Sequence, residues 1–507
     1  MGRTGTARLL AVAAAAALLG CGGDASGPVF ATARLDYVDG AIEPILTRGQ
    51  QVALEGFGFG AARGSGAVRF TRSGGGGGGG GGGEIDAVVP DSAWSALTIT
   101  TTVPDSAASG TLTVITAAGI RLRTTVHVLP APAFDPDLLT WQVRPPFPRA
   151  PVGVALAAAE FPVGSTLHAT LYAAGGAEVF DTGGGPLLMV PDSGVYVARA
   201  VVGGAGAIDA WVRQRDTTDA TRSHVLPVPR AFAAAAVATR HNSRLPGSAL
   251  YVIGGIDVAG HAQATVLGAD ITADSVSRRF IFLEPLPTPV AGAIAVVRRG
   301  RVYVIGGTDT TGQPQRAVYV GRIGVDGHID GWYQQPELPG PRAYGGGLVR
   351  DGRVVAIGGV ADVVPPGGGL DAAPQRLVTS DTARLSLVSG FFTGPWAAGP
   401  TVLPEGRSQF ALLDVGNAVL VVAGMYAGAA TNAAETIAAP VIGDSLGTFA
   451  GPVGTQIWDQ SCGPDGAGTL VGPTGVTWRE ADGTPRGLVL GGIDLVTRLR
   501  RGCTWGF

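Results

Sequence analysis

Four arginines recur behind prolines, and they are the side chains in this chain best suited to chemistry. Arg149, Arg230 and Arg342 each follow a proline, and Arg407 ends the looser phrase Leu-Pro-Glu-Gly-Arg. Guanidiniums gathered on one surface can clamp carboxylates through paired hydrogen bonds. The same residue type in a repeated phrase can equally tie one repeat to the next. Asp257, Asp309 and Asp494 each stand two residues past a glycine pair. As a ring they would suit a cation; singly, such aspartates bond the backbone of their own turn. The six histidines, at 127, 168, 224, 241, 261 and 328, show no HxH or HExxH spacing and no cysteine partner. No metal or cofactor is therefore expected. Neither a GxSxG elbow nor a phosphate-binding loop occurs. A carbohydrate-active enzyme, the alternative reading, would have to enlist acids such as Glu284, Glu337 or Glu405 as a carboxylate pair across a pocket.

The elements that would position these residues announce themselves by repetition. An apolar run closed by two glycines ends at Gly255, Gly307, Gly359 and Gly492, with looser copies ending at Gly176 and Gly424. Two successive spacings are 52 residues, the length of a four-stranded unit with generous loops. Leu-Pro or Phe-Pro opens each unit, then a strand of small residues such as Phe232-Ala-Ala-Ala-Ala-Val237 or Tyr344-Gly-Gly-Gly-Leu348. Small side chains suit an innermost strand where several sheets crowd one axis. A polar third strand and an aromatic fourth follow. The succession resembles the kelch repeat, which implies a β-propeller whose partners bind on the face reached by the loops after the double glycines. Tyr344, Tyr426 and the pair Phe391 and Phe392 are candidates for stacking on sugars there, although most such aromatics are expected in the core. Some kelch propellers resemble a copper-radical oxidase needing two His, two Tyr and a Cys, but the only cysteines in the repeats here, Cys462 and Cys503, are expected to pair with each other.

Six blades are expected. The 79-residue gap between Gly176 and Gly255 leaves room for a seventh, but 216–223 is polar and lacks a second glycine pair, so it reads as loop. Trp332 lies six residues before Leu338-Pro339, and Trp141 lies six before Phe147-Pro148, although no repeat precedes it. The last repeat stops about fifteen residues past Gly492. Residues 138–143 are therefore expected to supply the outer strand of the last blade, closing the ring and removing exposed sheet edges.

Ahead of the repeats, apolar and polar residues alternate in short runs: Val52 and Leu54, Val68 and Phe70, Leu97 and Ile99, Leu112 and Val114, and 122–128. Period-two alternation with Gly, Pro and Asp between runs is the pattern of a β-sandwich. The phrases Val52-Ala-Leu-Glu-Gly-Phe-Gly-Phe-Gly60 and Ser109-Gly-Thr-Leu-Thr-Val114 resemble the IPT/TIG family of immunoglobulin-like domains. Ten consecutive glycines at 74–83 interrupt that resemblance and read as a surface-loop expansion.

The expected fold class is thus all-β: an Ig-like (IPT/TIG) β-sandwich at 35–129, a Pro-rich linker at 130–137, and a kelch-type β-propeller at 138–507. The first 21 residues read as an export signal, with Arg3 and Arg8 ahead of an eleven-residue apolar core too short to span a bilayer. Its end, Leu-Leu-Gly-Cys21, resembles the bacterial lipoprotein cleavage box. The resemblance implies acylation of Cys21, a tether at 22–34 and a place in the cell envelope, and Gly22 lacks the usual inner-membrane retention cue. Cys462 and Cys503 then remain as a pair, which outside the cytoplasm is normally a disulfide. All 36 basic residues are arginine, and the net charge of −3 carries no basic stripe. Nucleic acid is excluded as a partner on that ground. The expected function is a surface-anchored binding or scaffold lipoprotein that holds an extracellular protein or polysaccharide, without catalysis.

Overall fold

The computed structural model describes residues 33–507 apart from 43, 75–82, 150, 164–165, 184–186, 215–223, 240–246, 278, 325, 351, 363–376, 378, 386–389, 427–434, 443–444, 455–469 and 495–501. The export signal, Cys21, the tether's first eleven residues, the polar stretch 216–223 and Cys462 lie outside the described residues. The fold is all-β, and 33–507 forms one compact unit.

Two sheets come first. Arg34–Val38, Gln51–Phe57 and Thr98–Thr102 make a three-stranded sheet, and five strands, with Gly110–Ile115 and Arg121–Leu129 at their centre, make the other. Val52, Leu54, Val68, Phe70, Ile99, Leu112 and Val114 bury the face between them, as the alternation requires. Leu97 departs from the pattern. It is 55% exposed, because the strand starts one residue later and Leu97 belongs to the preceding turn. Gly74 and Gly83 sit in the connection between the paired strands Ala67–Thr71 and Glu84–Asp86, with open space where a side chain would stand.

The rest of the chain builds six four-stranded antiparallel sheets. We number them I to VI by their first strands: Ala155–Val163, Ala234–Ala238, Ile294–Arg298, Gly346–Arg350, Ala411–Asp414 and Thr474–Arg479. Each first strand packs on the next, and that of sheet VI packs on that of sheet I, so the six close a ring. The long interval between Gly176 and Gly255 holds no seventh four-stranded sheet among the described residues. It carries the hairpin Ala177–Phe180 with Leu188–Pro191 and the third and fourth strands of sheet I.

Sheet VI is assembled from both ends of this region. Its fourth strand is Gln142–Arg144, pairing antiparallel with Thr504–Gly506. Trp141 packs edge-on against Phe507 at 5.2 Å and donates its indole N–H to Thr436 Oγ1 at 3.2 Å. The clasp starts later than the sequence suggested, because 136–138 forms a 3₁₀ turn capped by Asp135. The Pro-rich segment is itself pinned: Phe134 exchanges two hydrogen bonds with the Asn417 side chain and packs 5.3 Å from Phe507.

Candidate functional site

A double glycine ends the second strand of every sheet but V, where Ala423-Gly424 stands instead, and the geometry explains the composition. In sheets I, II, III, IV and VI the first glycine has φ between 58° and 70°, and the second, in all six sheets, between 91° and 103°. These are conformations that L side chains rarely hold. The second glycine's N–H bonds to the next sheet: Gly176 to Arg230 O (2.9 Å), Gly255 to Val290 O (2.8 Å), Gly307 to Arg342 O (2.8 Å), Gly359 to Arg407 O (2.7 Å), Gly424 to Leu470 O (2.9 Å) and Gly492 to Pro151 O (3.0 Å). A Cβ on Gly306 would lie 2.2 Å from the Arg342 carbonyl oxygen, and one on Gly254 2.3 Å from that of Val290. The phrase is thus a sheet-to-sheet joint, and the last link, Gly492 to Pro151, closes the ring.

The recurring arginines are part of these joints. Arg230, Arg342 and Arg407 are each at most 2% exposed. Arg230 donates to the Gly254 and Thr265 carbonyls and to Thr265 Oγ1 at 2.9–3.3 Å. Arg342 donates to the Gly358 carbonyl and to Thr379, and pairs with Asp381 at 2.7 Å. Arg407 pairs with Glu435 at 2.7 Å and reaches the Ala423 carbonyl. In each case the guanidinium binds the first residue of its own sheet's glycine phrase and the entry to its third strand, while its backbone carbonyl receives the preceding sheet. Burial pulls the Arg230 guanidinium down to about 10, with Asp257 opposing. For Arg342 burial also lowers the value, and Asp381 offsets part of it. An open arginine ring offered to a ligand is therefore not what the fold makes of these three residues. Arg149 is the exception: its side chain is 34% exposed and shared between Glu178 (3.4 Å) and Asp192 (3.3 Å).

Asp257 and Asp309 are turn residues. Asp309 Oδ1 accepts the N–H groups of Thr311 (2.8 Å) and Gln313 (3.0 Å), and Oδ2 accepts from Gln315 Nε2 at 2.9 Å. Asp257 repeats the pattern with Ala259, His261 and Gln263. Burial works to raise the Asp309 pKa, and the hydrogen bonds from Thr311 and Gln313 outweigh it, for a net lowering. Asp494 stands in the two-residue strand paired with Leu470–Val471. Among the described residues no three His, Cys, Asp or Glu side chains gather as a metal site.

A second circuit, invisible in the sequence, lies just inside the first. Phe232 N–H bonds to Gly153 O (2.8 Å), Gly292 to Phe232 (2.9 Å), Tyr344 to Gly292 (2.7 Å), Gln409 to Tyr344 (2.9 Å), Gly472 to Gln409 (3.1 Å) and Gly153 to Gly472 (3.2 Å). All six residues have φ between 53° and 69°. Phe232 and Tyr344 meet edge-on at 5.4 Å, and with Val152, Ala291, Val360 and Ile493 they fill this end of the ring. Tyr344 is thus core, not a stacking platform, and burial pushes its hydroxyl up to about 12. Phe391 and Phe392 are half-buried against Tyr333 and Tyr303, and the Tyr426 side chain lies outside the described set. Glu284 and Glu405 are exposed, and Glu337 pairs loosely with Arg316 at 3.9 Å.

The other end of the ring is built differently. Here the first strands run out into Glu160, Thr239, Arg298, Arg350, Asp414 and Arg479, and the N-terminal sheets sit over them. Asp39 and Gly40, both left-handed, form a tight turn that meets the matching turn at Arg299 and Gly300. Asp39 pairs with Arg299 at 2.7 Å and Arg298 at 2.9 Å, and accepts from Gln50 at 3.0 Å. Arg479 pairs with Glu160 and donates to Thr47 Oγ1 at 2.6 Å. Burial pulls the Arg479 guanidinium down, and Glu160 overrides it for a net rise. Cys503 is disulfide-bonded, and its partner lies outside the described residues.

No family model and no curated protein matches this chain. Among solved structures, one titled "Structure of YjhT" is similar at 13% identity and a TM-score of 0.38, over 61% of this chain and 100% of that one.

Proposed function

We propose that this chain is a binding or scaffold protein of the bacterial cell envelope: an IPT/TIG-like sandwich carrying a six-bladed kelch-type propeller, held to the membrane through a lipid on Cys21, with Cys462 as the disulfide partner of Cys503. The observation that carries the reading is the inequality of the two propeller faces. One face is covered by the sandwich. The other carries the long connections, such as the hairpin Ala177–Phe180 with Leu188–Pro191 in the first blade. Loops on a rigid scaffold are where partner contacts concentrate. Arg230, Arg342, Arg407, Asp257 and Asp309, which looked chemical, are spent on holding the scaffold, so recognition falls to the loop tips beyond them. A protein or glycan of the cell exterior is the partner this arrangement suits.

The experiment is a glycan array and a cell-surface pull-down with the full chain, repeated with the tip of that hairpin (Asp181 and Thr182) changed to alanine. Binding that the hairpin variant weakens supports the reading. Silence in both assays sinks it. Fractionation tests the anchor separately: Cys21→Ala is expected to release the protein from membranes, and continued membrane association overturns the lipoprotein assignment.

A further inference from the structure

Between the N-terminal sheets and the open mouth of the ring lies a cavity of about 690 Å³, adjoined by a smaller one of about 270 Å³ that shares its Asp39, Glu160, Arg298 and Arg479 walls. A volume of several hundred Å³ is that of a small-molecule site. We propose that this inter-module cavity is a second binding site, distinct from the loop face, for a small neutral polyhydroxylated molecule of the size of a mono- or disaccharide.

The lining argues for that class. Its rim is three ion pairs: Asp39 with Arg298, Glu160 with Arg479, and Asp414 with Arg350. Arg48, the fourth arginine of the wall, is turned to the Ala107 carbonyl, and each carboxylate already has its guanidinium, so a cation entering here would have to break a pair. A hydroxyl does not. It donates to a lone pair the carboxylate has left and accepts from a guanidinium N–H, so two adjacent hydroxyls can bridge one pair without disturbing it. Thr239 and Thr477 add hydroxyls of their own to the wall. The floor is aliphatic, formed by Ala158, Val237, Val297 and Val349 at half-buried positions. A polar rim above an aliphatic floor matches a sugar ring, whose hydroxyls project from its edge and whose C–H bonds form its face.

The geometry also explains how the cavity persists. The small first strands leave the axis unfilled, the apolar plug around Phe232 and Tyr344 stops it at the far end, and the Asp39 turn holds the roof off the floor. Arg350, Glu160 and Arg479 keep part of their side chains exposed, at 17%, 15% and 29%. Solvent reaches them.

Titration calorimetry on the full chain with glucose, maltose, glucuronate and choline tests the proposal. Glucose or maltose is expected to bind at concentrations up to about 10 mM. Thr239→Trp, which fills the mouth, is expected to weaken that binding by at least about tenfold. Val349→Phe, filling the floor, serves as the second variant, and a thermal melt confirms that each remains folded. Loss of binding in a folded variant supports the site. No binding by either neutral sugar overturns it, as does binding by glucuronate or choline alone. Sugar binding untouched by a folded cavity variant moves the ligand to another surface and overturns it too. The hairpin variant of the loop face is expected to leave this binding unchanged, which keeps the two readings separable.

Discussion

The two ends of the ring solve the same problem, closing an axis, by opposite means. At the double-glycine end the closure is main chain: two circuits of six hydrogen bonds, each passing through every sheet. Side-chain identity hardly matters to the acceptors, since Val290, Leu470 and Pro151 serve where Arg230, Arg342 and Arg407 do elsewhere. At the other end the closure is side chain: charged residues at the strand ends, paired with each other or with the N-terminal sheets. Backbone circuits tolerate substitution as long as the φ angles can be held. Charge pairs depend on each partner, on pH and on salt. The first end is therefore the fixed foundation, and the second is where specificity and regulation can vary.

That contrast can be broken first at its buried charges. Arg342→Ala leaves Asp381, whose side chain is 10% exposed, without its cation. It should destabilise the chain by about 3–5 kcal/mol, read as a shift in the urea midpoint. An equal loss from the same change at the partly exposed Arg149 would mean that burial is not what sets the cost. Next comes the backbone. Gly306→Ala places a Cβ 2.2 Å from the Arg342 carbonyl oxygen, at φ 62°. A loss of about 3 kcal/mol is expected. Sheet V already carries Ala423 at φ 55°, so the angle alone is tolerable, and Ala423→Gly should change stability little.

At the opposite end, Asp39→Ala removes the anion shared by Arg298 and Arg299, and should cost about 3 kcal/mol and make the contact between the N-terminal sheets and the ring susceptible to protease. Unchanged cleavage would show that Thr47 and Arg479 suffice. The smallest effect is at Glu55. Burial raises its pKa above the ordinary 4.5, and Arg301 and Arg299 only partly offset this. A carboxyl with a raised folded value stabilises fully below its unfolded pKa and loses that contribution as pH rises through the folded one. Glu55→Gln should therefore stabilise slightly at neutral pH and flatten the slope that begins at the ordinary 4.5 and runs upward from it. A variant less stable at neutral pH would reverse the sign.

Much of the architecture was legible because its causes are local. A glycine pair is demanded by backbone angle and close approach, so it survives in sequence and carries its spacing with it. Period-two alternation marked the N-terminal strands, failing only at Leu97, where a turn outweighed the pattern. Trp141 gave away the closing strand because its distance from Phe147-Pro148 copies that of Trp332 from Leu338-Pro339. The axial circuit left no such trace. Gly153, Phe232, Gly292, Tyr344, Gln409 and Gly472 share a conformation and not a chemistry, and Tyr344 looked like a ligand platform in consequence. The charged mouth was equally silent, since Asp39 and Arg299 are 260 residues apart.

The chain's own residues determined which segments are strands, that six repeats exist and that their ends must turn through positive φ, because these are short-range demands on backbone and packing. Only the tertiary structure decided what the arginines do. A guanidinium behind a proline is a ligand clamp or a structural strut according to what stands at its far end, and for the three buried arginines those partners arrive from 16 to 39 residues away.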